Sequence, residues 1–171
     1  MLTLAQALTR LTINADVISQ LTRGLSDEQA RWKPAPNDWS SLEVVNHLYD
    51  EERDDFRTRI DLTLHHPAQE WPPIHPSRWA IERKYNERDL AASLENFRQE
   101  RQNSLTWLTE LSDADWEKGR QRPQAGVIKA GDLLAAWVAH DHLHIRQLNE
   151  LHWQWWSATV KPYTVYYAGD W

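Results

Sequence analysis

Leu133, Trp137, His140, His144, Gln147 and Leu151 recur at spacings of four, three, four, three and four. This is the inward seam of a helix packed in a bundle. A helix with such a seam must bury it against other helices, which narrows the fold more than any other feature of the chain. The same seam carries two imidazoles where leucines belong. His142, between them in "AWVAHDHLHIRQL", points to a different face.

Three other segments carry helical periodicity. In the first, Leu4, Leu8, Leu11, Ala15, Ile18 and Leu25 form a stripe in which Thr22 fills the polar slot. A short element with capping-box spacing follows at Ser26 and Gln29, and "KPAPND" breaks the chain. The second long helix starts at Ser40, which can cap Glu43. Leu42, Val45, Tyr49, Phe56 and Ile60 line one face, widened by Val44 and Leu48, and the helix ends before Pro67. A loop of about 15 to 20 residues then carries prolines 67, 72, 73 and 76. Its Trp71, Ile74 and Trp79 predict a packed cover. The third helix starts near Asn86, with Asp89 in its first turn and a stripe of Leu90, Leu94, Phe97, Leu105, Leu108 and Leu111. "SDADWEKGRQRPQAG" reads as a connection, and the fourth helix as running from about Ala130 to Leu151. The aromatic tail "HWQWWSATVKPYTVYYAGDW" reads as a packed extended segment or a dimer contact.

The expectation is an all-α chain, one domain over residues 1–171. It is a four-helix bundle with a long, proline-rich connection between helices two and three and an aromatic C-terminal tail. That connection is long enough for a crossover, so up-down-up-down order does not follow from the sequence. The 11 tryptophans read as large fillers of core and loops.

A net charge of −6 argues against a general nucleic-acid binder, which needs a basic face against phosphates. No cysteine is present, so disulfides, thiolate ligands and a thiol nucleophile of the chain's own are excluded. "MLTLAQALTR" lacks a basic stretch followed by an apolar core, and no run of about 18 apolar residues exists. The reading is a cytoplasmic protein with no membrane partner.

Residues four apart on a helix have Cβ atoms about 5–6 Å apart, so His140 and His144 can reach one metal ion. An unpartnered buried imidazole forfeits about 1–3 kcal/mol of hydration, and a metal converts both lone pairs into ligands. "HDHLH" resembles the zincin HExxH, but Asp141 stands where the general-base Glu belongs. A two-metal ferritin-like site needs Glu-x-x-His motifs, and no Glu lies three residues before any histidine here. A mononuclear site then needs a further ligand. The candidates are His47, His65, His66, His75 and His152, and periodicity alone does not single one out.

"RWKPAPNDWS", "SSLEVVNHLYDEE" and "AGDLLAAWVAHDHLHIRQL", in this order and separation, resemble the DinB/YfiT-like superfamily over nearly the whole chain. (This DinB is the damage-inducible group, not the polymerase of similar name.) The resemblance implies a four-helix bundle holding one divalent metal through His47, His140 and His144. Glu51, one turn beyond His47, could orient it; Gln147, one turn beyond His144, could bind a water or ligand near the metal. Three neutral nitrogen ligands with open positions suit Zn, Ni, Fe or Co.

Some members of that superfamily are thiol-dependent transferases or isomerases. The resemblance thus implies a metal- and thiol-dependent transferase, in which a low-molecular-weight thiol attacks a small electrophile. A second reading is metal-dependent hydrolysis of a small-molecule substrate with Asp141 or Glu51 as base. A third is a non-enzymatic, metal-stabilised binding or homodimerisation module.

Overall fold

A computed structural model describes residues 3–123 and 126–169. The start of the "MLTLAQALTR" reading, the middle of the third connection and the last two residues of the tail lie outside these. Helix α1 spans Leu4–Thr22 and a short α2 spans Asp27–Arg31. Helix α3, Ser41–Asp50, passes through a π-helical segment, Glu51–Phe56, into α4, Arg57–His65. After α5, Pro76–Glu82, come α6, Leu90–Thr109, a hairpin of β1, Gly119–Arg122, with β2, Gly126–Lys129, and α7, Ala130–Thr159. The four long elements form the expected helical bundle.

Their directions follow from the two core clusters. Leu4 and Leu8 pack with Leu64, Leu108 and Leu133 at one end. Ile18 packs with Val44, Phe97 and Leu148 at the other. So α1 and α7 run one way, and α3–α4 and α6 run the other. The connection between α4 and α6 must therefore climb the whole bundle, and it is the crossover that its length permits. Asp50 fixes it to α3, accepting from Tyr85 Oη and pairing with Arg83 Nη1 at 2.5 Å. Arg88 Nη1 donates to Asn46 Oδ1 at 2.9 Å.

Several boundaries differ from the expectation. The crossover is not a bare loop. Pro76, whose missing N–H costs nothing in a first turn, opens α5. Trp71 is buried, whereas Ile74 and Trp79 are half-buried. Helix α6 begins at Leu90 rather than Asn86, because Asp89 is its cap and accepts from Ala92 N at 2.8 Å. The third connection folds as an antiparallel hairpin, with Gly119 opposite Lys129. Helix α7 does not stop at Leu151: nothing before Pro162 breaks it, and it runs to Thr159. The tail is thus no packed extended segment, and Tyr163, Tyr166 and Tyr167 beyond it are exposed. Among the described residues no helix is long and apolar enough to cross a membrane.

The two apolar clusters are separated by a polar layer to which every long helix contributes. On α1, Asn14 lies between Leu11 below and Ile18 above. On the second helix His47, Glu51 and Glu52 lie between Val44 and Phe56. On α6 Arg101 separates Phe97 from Leu108, and on α7 His140, Asp141 and His144 separate Trp137 from Leu148. Each fully buried Leu or Ile stabilises by about 1.5–3 kcal/mol, and the clusters together offset the desolvation of the layer between them.

Candidate metal centre

The layer brings together three of the candidate histidines. His140 and His144 are one turn apart on α7, and His47 faces them from α3. His140 Nε2 lies 3.3 Å from His47 Nε2 and 3.2 Å from His144 Nε2, and the three ligand atoms are within 4.8 Å of one another. Zinc–nitrogen bonds of about 2.0–2.1 Å in a tetrahedron place neighbouring nitrogens about 3.3–3.4 Å apart. The two short spacings, both to His140 Nε2, therefore fit a small divalent ion.

The far nitrogen of His144 sets its tautomer. His144 Nδ1 donates to Gln147 Oε1 at 2.8 Å. His47 Nδ1 faces Glu51 Oε1 at 3.5 Å. The His144 ring then presents an Nε2 lone pair to His140, while His47 Nδ1 has no hydrogen-bond partner among the described residues. His140 Nε2 has one N–H or one lone pair to offer its two neighbours, whereas a cation satisfies all three.

Burial, then the neighbouring His144 and His140, pushes the His47 pKa down to about 2. Burial, then His144 and Arg101, pushes His140 down to about 3. Burial also lowers His144, opposed by its bond to Gln147 and by Asp141. The rings are thus neutral at ordinary pH, the form that ligates. Because the folded pKa values lie below the unfolded value of 6.5, the stability tied to neutral imidazoles is whole above pH 6.5. It is lost as pH falls toward 3. In metal-free protein, His47→Leu is expected to lose less stability than wild type between pH 6.5 and 4. Urea melts across that range check it, and parallel losses in the two proteins would contradict it.

The walls are aromatic. Trp39 stacks on His144 with centroids 6.4 Å apart and meets His47 edge-on at 4.7 Å. Phe56 meets His140 edge-on at 5.2 Å. His47 is 3 % exposed and His144 9 %, while His140 is half-buried, so the open side lies next to His140.

The other candidates stand elsewhere. His65, His66, His75 and His142 are exposed. His152 is half-buried, with Nε2 2.5 Å from Leu21 O. The suggested roles of three neighbours also change. Gln147 spends its amide oxygen on His144 Nδ1, so it orients that ring instead of offering the oxygen to a water beside the metal. Glu51 lies on the Nδ1 side of His47, and burial together with Asp55 pushes its pKa up to about 9. Asp141 accepts from Arg101 Nη1 and Nη2, both at 2.8 Å, and from Asn14 Nδ2 at 3.2 Å. With no exposed surface and both oxygens engaged, it is not available as a base.

Periodicity did not reveal Asn14, Glu52 and Arg101 as members of this layer. The signal is present as gaps. The α6 stripe jumps from Phe97 to Leu105, and Arg101 fills the vacant inward position. The second helix jumps from Tyr49 to Phe56, and there the π-helical segment turns both Glu51 and Glu52 inward. Adjacent residues of a regular α-helix point about 100° apart, and π-bulges recur at functional sites.

A model of the DinB superfamily matches residues 10–148. No curated protein matches the chain in sequence. Among solved structures, YfiT from Bacillus subtilis superposes with a TM-score of 0.77 at 21 % identity, covering 88 % of this chain and 86 % of that one. It is described as a probable metal-dependent hydrolase with an unusual four-helix bundle topology.

Proposed function

This chain belongs to the DinB superfamily, and on that premise we propose that it is a metal-dependent hydrolase holding one divalent ion through His47, His140 and His144. The observation that carries the reading is the convergence of three neutral imidazoles, with the Nε2 atoms of His47 and His144 each at ligand spacing from His140 Nε2. Three such ligands leave a position open, unlike closed structural sites. A divalent ion bound there supplies a Lewis acid for water or a substrate oxygen. The chain's own residues do the rest. Gln147 holds the His144 ring in the ligating tautomer, and Trp39 and Phe56 shield the imidazoles from bulk water. The half-buried edge of His140 marks the side from which substrate enters. Hydrolysis is also the activity ascribed to YfiT, whose fold is similar.

One observation favours thiol transfer as a second reading. Among the described residues Asp141 is locked to Arg101 and Glu51 lies behind His47, so neither carboxylate is poised as a base. A divalent ion held here would lower the pKa of a low-molecular-weight thiol enough for its proton to pass to solvent, so that such a nucleophile would need no carboxylate of the chain. Protein loaded separately with Zn, Ni, Fe or Co is to be assayed on esters and amides, and on small electrophiles with such thiols. Turnover that a chelator reduces to background and that needs no thiol supports hydrolysis. Turnover only with thiol supports transfer. No turnover with any metal overturns both and favours a metal-stabilised binding module.

A further inference from the structure

Beside the histidines, the same layer holds a second polar set that nothing so far has used. Arg101 is 1 % exposed, Glu52 1 % and Asp141 0 %. Arg101 Nη1 and Nη2 grip the two oxygens of Asp141 as a fork, each at 2.8 Å. Nε and Nη2 reach Glu52 Oε1 at 2.9 and 2.6 Å, and Nη1 also donates to Leu11 O at 2.8 Å. Trp137 Nε1 donates to the same Glu52 oxygen at 2.8 Å. One guanidinium thereby ties together α1, α6, α7 and the π-helical segment.

The placement of its partners matters more than their number. Asp141 follows His140 directly and stands one turn before His144. Glu52 adjoins Glu51, which faces His47. Gripping Asp141 with a planar fork fixes the rotation of α7 about its axis. Holding Glu52 and Trp137 together fixes the height of α7 against the helix that carries His47. A buried ion network is no efficient way to stabilise a core, since apolar residues of equal volume do as well or better.

We infer that Glu52, Arg101 and Asp141 are positioning residues of the three-histidine centre, setting the rotation and register that bring His140 and His144 to His47. This rests on the metal reading, so wild type and His140→Ala are tested alongside. The neutral variant Glu52→Gln/Arg101→Met/Asp141→Asn removes the charges together and leaves none unpaired in the core. A second variant, Arg101→Lys, keeps the charge but not the fork.

Zinc affinity by competition with a chromophoric chelator, and the visible spectrum of the cobalt form, are to be measured for each protein that circular dichroism finds folded. Wild type binds one ion, and His140→Ala does not. The expected result is a zinc Kd raised about 10- to 100-fold in both the triple variant and Arg101→Lys, with an altered cobalt spectrum. Either variant, folded, with wild-type zinc affinity and the wild-type cobalt spectrum overturns the inference. Absence of binding in wild type itself overturns the metal reading.

Discussion

His140→Ala is expected to remove nearly all metal-dependent stabilisation while leaving the helical bundle folded. His140 is the hub of the centre, since both short Nε2 distances run to it, and it is the most open of the three rings. Its loss leaves two ligands, and affinity is expected to fall by at least about 100-fold, the upper end for losing a mere outer contact. Linkage sets the readout. An ion at about 100 times its Kd stabilises a folded chain by about 2.7 kcal/mol. For a domain of this size that raises the melting temperature by about 5–10 °C. Calorimetry with and without zinc should give that rise in wild type and at most about 1 °C in the variant. Equal rises would mean that the ion binds elsewhere.

Arg101→Met is expected to produce the largest loss of stability from a single change. The methionine fills much of the arginine's volume, so packing is not the main loss. What remains is Glu52 and Asp141, both buried, with no cation between them. Breaking a buried ion network by removing one partner costs about 3–5 kcal/mol. The corresponding fall in melting temperature is about 6–20 °C. Adding Glu52→Gln and Asp141→Asn to Arg101→Met should restore much of it, because no unpaired charge is then left. Chemical denaturation of the single and triple variants tests this. A single variant within about 1 kcal/mol of wild type would show that the network is not desolvated as its burial implies.

How far the bundle was legible in the chain depends on what each helix faces. The α7 seam reads in part: Leu133, Trp137, His144 and Leu151 are buried, His140 and Gln147 are half-buried, and Asp141 and Leu148 complete the buried line. Helix α1 reads less well. Its stripe of Leu4, Leu8, Leu11 and Ala15 lies to one side of the buried line Ala7, Leu11, Asn14 and Ile18. A polar Asn14 at the centre shifts the apparent face. Helix α3 hides His47 for a different reason. Its residues from Ser41 to Leu48 are all buried, because α6 and α7 pack on one side and the crossover covers the other. With no solvent face there is no polar–apolar alternation, and His47 stood out only through the family resemblance. The hairpin between α6 and α7 gave no strand alternation, since its paired residues are mostly charged, polar or glycine.

The sequence by itself determined the helices, their apolar seams and the pair of inward imidazoles on α7, because these depend on residues within a turn or two of one another. The tertiary structure decided which histidine completes the set and what surrounds it. His47 and His140 are 93 residues apart, Glu52 and Arg101 49, and Arg101 and Asp141 40. Their meeting depends on a crossover that the length of the connection permits but does not require, and on a π-helical segment that turns two adjacent glutamates inward. The segment shows in the sequence only as a gap in the apolar stripe and the crossover only as a long connection, because what fills each is set by what packs against the chain from elsewhere.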